Sequence, residues 1–206
     1  MTKDSPITSI LLAAGISSRM GSIKALLPWE NKTLIEWQIE KIQESGIQEI
    51  IVVLGSNAEK IKNKIKNLDI SIVLNSDYEK GKTTTIKKGL SGVKNTESAI
   101  MLLAVDQPRH GWILKKVIDD HIKNQTLISC PINKGSKGHP IIFQNQLRKE
   151  LLEIEEKTQG IRKITTKYST SVNTIEVDSD TVNIDINTPE EYQEAIKIFS
   201  REINFE

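Results

Sequence analysis

Ile10-Leu11-Leu12-Ala13-Ala14-Gly15-Ile16-Ser17-Ser18-Arg19-Met20-Gly21-Ser22-Ile23-Lys24 runs from an apolar segment into a loop that carries one Arg and ends on one Lys. The segment from Ile7 to Ala13 is short, apolar and bounded by Gly, which predicts a buried parallel strand. Just beyond Ala14 only Ile16 is bulky, so backbone amides are free to approach a ligand. Successive N–H groups in such a turn make a concave anion site, and Arg19 and Lys24 add two full positive charges. A triphosphate suits that combination better than a neutral ligand. The alternative is a plain βα turn with two solvated cations.

Spacing excludes two common phosphate loops. Five residues separate Gly15 from Gly21, and Ser22 follows where a P-loop needs Lys. The three-glycine dinucleotide pattern is absent too, which argues against a Rossmann-like dehydrogenase.

As a string, the stretch resembles the signature L-A-A-G-x-S-x-R-M-G-x-x-K of the MobA-like nucleotidyltransferases. Leu12, Ala13, Ala14, Gly15, Ser17, Arg19, Met20, Gly21 and Lys24 meet its fixed positions. The resemblance implies that this loop, Ser18 included, wraps the base and phosphates of a nucleoside triphosphate, with Arg19 and Lys24 on the phosphates. Ala-Ala-Gly, where guanylyltransferases usually carry Ala-Gly-Gly, implies CTP.

The chain's 206 residues suit one domain, 1–206, with a substantial core. Lys and Arg number 28 against 27 Asp and Glu, so no bulk attraction to nucleic acid or membrane is expected. One Cys excludes an internal disulfide framework. No segment approaches a membrane span, and Met1 to Pro6 lacks a signal-peptide layout, so a cytoplasmic protein is expected.

Thr33 with Glu36 forms a capping box opening a helix from Leu34 to Glu44, and Trp29 and Trp37 read as packing residues. Strands are expected at Glu49–Leu54 and Ile70–Leu74, around a helix from Ala58 to Asn67 whose lysines read as a solvated face. This alternation predicts βαβ units and a mostly parallel sheet. Gly81 to Thr85 then leads into a helix from Ile86 to Gly92. Hydroxyls at a helix N-terminus offer a site for phosphate or a nucleobase edge; a plain N-cap is the alternative. Gly81, Thr84, Thr85 and Ile86 resemble the G-x-x-[ST]-[ST]-[IL] segment of the family's cytidylyltransferase branch, which implies nucleotide contacts there.

Ser98 to Val105 predicts a further strand with Asp106 at its carboxyl end, where open α/β sheets place ligands and metals. An Asp after so apolar a run needs a cation or amide donors to stay ionised, although a turn Asp is the bland alternative. Asp106-Gln107-Pro108 resembles the family's D-x-P motif, which implies that Asp106 is catalytic and binds Mg²⁺. His110 reads as a helix-start or surface residue, and Cys130 as buried at the end of a strand from Leu127. Pro131 to Phe143 reads as a hairpin-like antiparallel excursion. Gly138-His139-Pro140 with Phe143 resembles the family's G-x-P-x-x-F element beside the acceptor pocket, which implies that His139 contacts the acceptor; an exposed loop His is the reading from chemistry alone. Asn145 to Glu155 reads as a charged amphipathic helix. Thr158-Gln159-Gly160-Ile161-Arg162 stands where relatives show Gly-Asp-x-Gly-x-Arg; the acidic residue is missing, and Arg162 is retained as an anchor for an acidic acceptor group.

Thr188-Pro189-Glu190-Glu191 opens the last helix with cap chemistry of its own. Asp185 and Asn187, two apart in an extended run, point the same way. The string resembles the closing D-[IV]-[DN]-T-P-E-[DE] motif, which implies that Asn187 or Asp185 completes the metal site with Asp106. Asn at 187 is commoner among guanylyltransferases.

Across nearly the whole chain the resemblance implies a three-layer Rossmann-like, GT-A-like α/β domain. It implies Mg²⁺-dependent transfer of CMP from CTP to the terminal phosphate of a molybdopterin-type acceptor, with a molybdenum hydroxylase as client. Two alternatives stay open: a guanylyl- or other nucleotidyltransferase with a different acceptor, and a non-catalytic molybdoenzyme accessory protein.

Overall fold

The computed structural model describes residues 6–202; the signal-peptide reading of residues 1–5 lies outside that range. The elements run β1 Ile7–Ala13, β2 Pro28–Trp29, β3 Lys32–Thr33, α1 Leu34–Glu44, β4 Glu49–Leu54, α2 Ala58–Ile65, β5 Ser71–Leu74, α3 Lys82–Gly92, β6 Ala99–Ala104 and α4 Gly111–Asn124. They continue with β7 Ile128–Asn133, β8 Ser136–Lys137, β9 Ile141–Phe143, α5 Arg148–Glu153, α6 Ile161–Lys167, β10 Val172–Glu176 and α7 Pro189–Glu202.

Strand order is β10-β7-β9-β6-β1-β4-β5, with β8 paired to β7, making an eight-stranded sheet. β1 lies parallel to both β4 and β6, and β4–β5 and β7–β10 are parallel too. The antiparallel excursion is present but not peripheral: β9 is inserted between β6 and β7, antiparallel to both.

Why the central strands are apolar throughout follows from their two covered faces. On one face Leu11, Val52, Met101 and Leu103 pack with Ile35, Ile39, Ile42, Leu114 and Val117 from α1 and α4. On the other, Ile10, Leu12, Val53 and Leu102 pack with Ile86, Leu90, Leu151 and Ile164 from α3, α5 and α6. The result is three layers, as the resemblance implied. Gly89 lets α3 sit close on β1, since a Cβ there would overlap the side chain of Ile10. A separate cluster of Trp29, Trp37, Ile186 and Phe199 ties α7 and the β2–β3 hairpin to α1, so both tryptophans are packing residues as expected.

Three local expectations are corrected. α3 begins at Lys82 rather than Ile86, because the carboxylate of Glu156, 73 residues away, accepts the Thr83 N–H at 2.6 Å and caps it. The helix expected over Asn145 to Glu155 splits into a 3₁₀ turn and the short α5, ending where the chain extends to bury Ile154. His110 does start α4, but it is buried against Trp37 and Phe199 rather than exposed. Cys130 is buried within β7, and burial pushes its thiol up.

Among the described residues no helix is long and apolar enough to cross a membrane.

His121 of α4 is buried, its Nδ1 2.8 Å from Ser129 Oγ, and desolvation pulls its pKa down from 6.5 to about 4. The unfolded chain therefore takes up this proton first as pH falls, and stability drops between pH 6.5 and 4. The loss is expected to be on the order of 2–3 kcal/mol in urea unfolding. His121→Gln should flatten that dependence, and an unchanged slope would contradict this assignment.

Candidate active site

The site forms where the chain leaves β1 and β6 at their carboxyl ends. From β1 the chain next crosses to β4 on one side, while β6 pairs on the other, so a crevice opens between β1 and β6. A cavity of about 240 Å³ lies there, lined by Ala13, Gly15, Ser17, Lys24, Tyr78 and Asp106 among others. A larger hollow of about 630 Å³ sits at the opposite sheet end, around Ile7, Glu49 and Ser71. The smaller one holds the chemistry, because charged groups from distant segments converge on it.

Lys24 Nζ donates to Asp106 Oδ2 at 3.0 Å and to Asn187 Oδ1 at 2.9 Å. Arg19 Nη2 donates to the same Asn187 oxygen at 3.2 Å. The cation that Asp106 was expected to need is thus Lys24, and this is the shielded half of the site: the side chains of Lys24 and Asp106 are 12% and 25% exposed. Asp106 is anchored through its backbone, whose carbonyl accepts the Ile186 N–H at 2.8 Å. Ile186 is buried while Asp185 on one side is exposed and Asn187 on the other is half-buried, so the two polar neighbours share a face as expected. Although the residue as a whole is exposed, desolvation of its carboxyl against the site, then the nearby charge of Asp106, raises the Asp185 pKa above the ordinary carboxylate value.

The loop itself is shaped for a ligand. Ser17 adopts left-handed backbone (φ 60), and its hydroxyl accepts the Lys24 N–H at 3.3 Å, stapling the loop's two ends. Met20 is buried and pins the middle. A Cβ built on Gly15 would meet no non-adjacent residue within 4 Å, and Gly15 lines the cavity. Leu12, Ala13, Ala14, Gly15, Ser17 and Lys24 line the cavity; Ser18, Arg19 and Gly21 lie outside the lining, Arg19 reaching over to Asn187.

Gly81 and Thr85 reach the cavity wall, but Thr84 does not. Asn75 Nδ2 donates to both threonine hydroxyls at 3.0 Å, and Thr84 donates onward to backbone carbonyls of Asp77 and Gly81. The α3 N-terminus already holds the Glu156 carboxylate through the Thr83 N–H, while Gly81 and the buried Thr85 still line the cavity.

On the acceptor side, His139 is half-buried rather than exposed, beside Lys82, Gln107 and Ile161 in a small recess. Desolvation, then the charges of Lys82 and Arg109, lower its pKa to about 3, so it is neutral and offers hydrogen bonds but no charge. Arg162 is exposed on α6, and among the described residues no hydrogen bond or ion pair joins it to the site. Ile161, its neighbour in sequence, lines the same recess as His139.

Sequence reasoning missed Gln38, Arg109 and Glu156. Gln38 Nε2 of α1 donates to the Val105 carbonyl at 2.5 Å, holding the end of β6 from 67 residues away. A glutamine amid the apolar stripe of α1 was the available signal.

An open α/β sheet with a cation-carrying loop facing a carboxylate at its switch point defines a ligand-binding α/β domain. The MobA-like NTP transferase domain matches residues 9–172, and the chain belongs to that family. It is 28% identical over 194 residues (91% of this chain, 94% of the relative) to molybdenum cofactor cytidylyltransferase of Escherichia coli K12. Identity is 29% over 208 residues (96% and 100%) to a probable molybdenum cofactor guanylyltransferase of Bacillus cereus AH187. Nicotine blue oxidoreductase of Paenarthrobacter nicotinovorans matches at 27% over 192 residues (90% and 94%), so likeness at this level does not fix the reaction. Among solved structures, Rv0371c of Mycobacterium tuberculosis H37Rv superposes with a TM-score of 0.83 at 24% identity, covering 95% of this chain and 100% of that one. That protein has also been solved as a manganese complex.

Lys24→Met removes the ammonium from between two oxygens. Without nucleotide, the variant is expected to bind Mn²⁺ several-fold more tightly than the wild type by electron paramagnetic resonance. Unchanged affinity would show that these oxygens do not seek a cation.

Proposed function

We propose that this chain, acting as one unit over residues 1–206, is a cytidylyltransferase that moves CMP from CTP onto the terminal phosphate of a molybdopterin-type acceptor. The observation that carries the reading is Lys24 Nζ bridging Asp106 and Asn187, with Arg19 on the same amide oxygen. A cation-carrying loop and a carboxylate–amide oxygen pair thereby meet in one crevice. The names of the cytidylyl and guanylyl relatives supply the acceptor class. The Ala13-Ala14-Gly15 string favours CTP.

The reaction needs no covalent intermediate. An acceptor phosphate oxygen forms a bond to the α-phosphorus of CTP as the bond to the β-phosphate oxygen breaks, and pyrophosphate leaves. In this reading the loop amides from Ala14 to Ser17 hold the phosphates, and Arg19 and Lys24 neutralise the departing pyrophosphate. Positioning two polyanions against each other is the main catalytic work. Lys24 engages phosphate only by leaving its two oxygen partners.

Asp106, Asn187 and Asp185 fit a divalent cation, since two carboxylates and an amide oxygen already attract an ammonium there. Among the described residues no group of three or more His, Cys, Asp or Glu is placed to hold a metal by protein ligands alone. That suits Mg²⁺, which completes its shell with water and substrate phosphates. When bound, Mg²⁺ supplies charge neutralisation on the phosphates.

Guanylyl transfer is the second reading, favoured by Asn187 where the cytidylyl branch mostly carries Asp. Thermal shifts with each of the four triphosphates and Mg²⁺ separate the two: CTP should stabilise the protein most. Lys24→Ala and Asp106→Asn should each lower pyrophosphate release by about 10²-fold or more while the protein stays folded. Wild-type turnover in Lys24→Ala would end the phosphate role, and no release from wild type with any triphosphate would favour an accessory protein.

A further inference from the structure

Arg109 is a charged side chain with only 2% of its surface exposed, and among the described residues it makes no ion pair. It spends its donors on backbone carbonyls instead. Nε donates to His139 at 3.0 Å, and Nη1 donates to Pro108 at 2.6 Å and to Ile184 at 3.0 Å. Those carbonyls belong to three segments far apart in sequence, and each segment carries a residue of the site. Pro108 follows Asp106 by two residues, Ile184 directly precedes Asp185 and stands three before Asn187, and His139 faces the acceptor-side recess.

Burying a guanidinium without a salt bridge is costly, and apolar residues of the same volume would pack three loops more cheaply. What an apolar side chain cannot do is fix three carbonyls in a plane with set directions, which the guanidinium fork does. Lysine offers the same charge without that fork. Asp106 and Asp185 are the acidic charges that act on Arg109, yet its hydrogen bonds go to backbone carbonyls and not to those carboxylates.

We propose that Arg109 is a positioning residue that sets the spacing of the Asp106, Asp185–Asn187 and His139 segments and thereby builds the divalent-cation site. This rests on the cytidylyltransferase reading above. It assigns no contact with substrate to Arg109. No hydrogen bond or ion pair among the described residues joins Arg109 to the Gly15 to Lys24 loop itself, so metal binding should suffer far more than metal-free nucleotide binding when Arg109 is changed.

Arg109→Lys, and Arg109→Gln as a second variant that keeps an amide donor, are compared with wild type at a temperature where circular dichroism shows all three folded. CTP affinity is measured without metal by calorimetry, and Mn²⁺ affinity in the presence of CTP by electron paramagnetic resonance. Both variants should weaken Mn²⁺ by about tenfold or more, the scale seen when residues orienting metal ligands are removed, while metal-free CTP binding stays within about twofold. Mn²⁺ affinity within about twofold of wild type would overturn the proposal, as would a parallel loss of CTP and Mn²⁺ binding, which marks a scaffold role. If wild type itself binds no CTP, the functional reading fails first, and that arm identifies it.

Discussion

One ion pair organises the carboxyl end of this sheet: the ammonium of Lys24 against the carboxylate of Asp106, shared with the amide oxygen of Asn187. Its partners come from the start, the middle and the end of the chain. Each alone would be an ordinary polar side chain on a loop. Drawn together in a partly shielded crevice, they make a place where positive and negative groups meet; in the proposed reading an entering polyanion takes over the ammonium and a divalent cation takes over the carboxylate. The exposed Lys134–Asp180 pair, by contrast, is open to solvent and contributes little.

Everything around the pair holds it in register. β1 and β6 pair in parallel, so the loop after Ala13 and the turn after Ala104 start side by side. Gln38 holds the end of β6, the Ile186 N–H brings the closing segment onto Asp106, and Arg109 gathers three backbone carbonyls. The aromatic cluster of Trp29, Trp37 and Phe199 anchors α7, which follows Asn187. The packing thus ends in the chemistry rather than merely surrounding it.

Those parts of the fold that depend on local pattern were legible in the sequence. β1, β4 and β6 are buried on both faces and read as apolar runs; the capping box at Thr33 marked the start of α1 correctly. The loop cations and Asp106 were legible because the segments that carry them open at the ends of apolar runs, β1 and β6. Long-range polar contacts were not legible. The start of α3 is set by Glu156, and the hydroxyls of Thr84 and Thr85 accept from Asn75, neither of which leaves a periodic signal. Arg109 follows an Asp-x-Pro turn like any solvated cation, and only the fold shows that it is buried. The insertion of β9 between β6 and β7 likewise depends on pairing that no single segment encodes.

The central claim is that the loop cations and the Asp106–Asn187 pair serve one ligand. Crystals grown with CTP and Mn²⁺ test it most directly, through the anomalous signal of manganese. The account predicts manganese on Asp106 with the triphosphate in the Gly15–Lys24 loop and the Lys24 ammonium moved from Asp106 to phosphate. Nucleotide in the hollow around Ile7 and Glu49, or manganese away from Asp106 with the Lys24 pair intact, would contradict it.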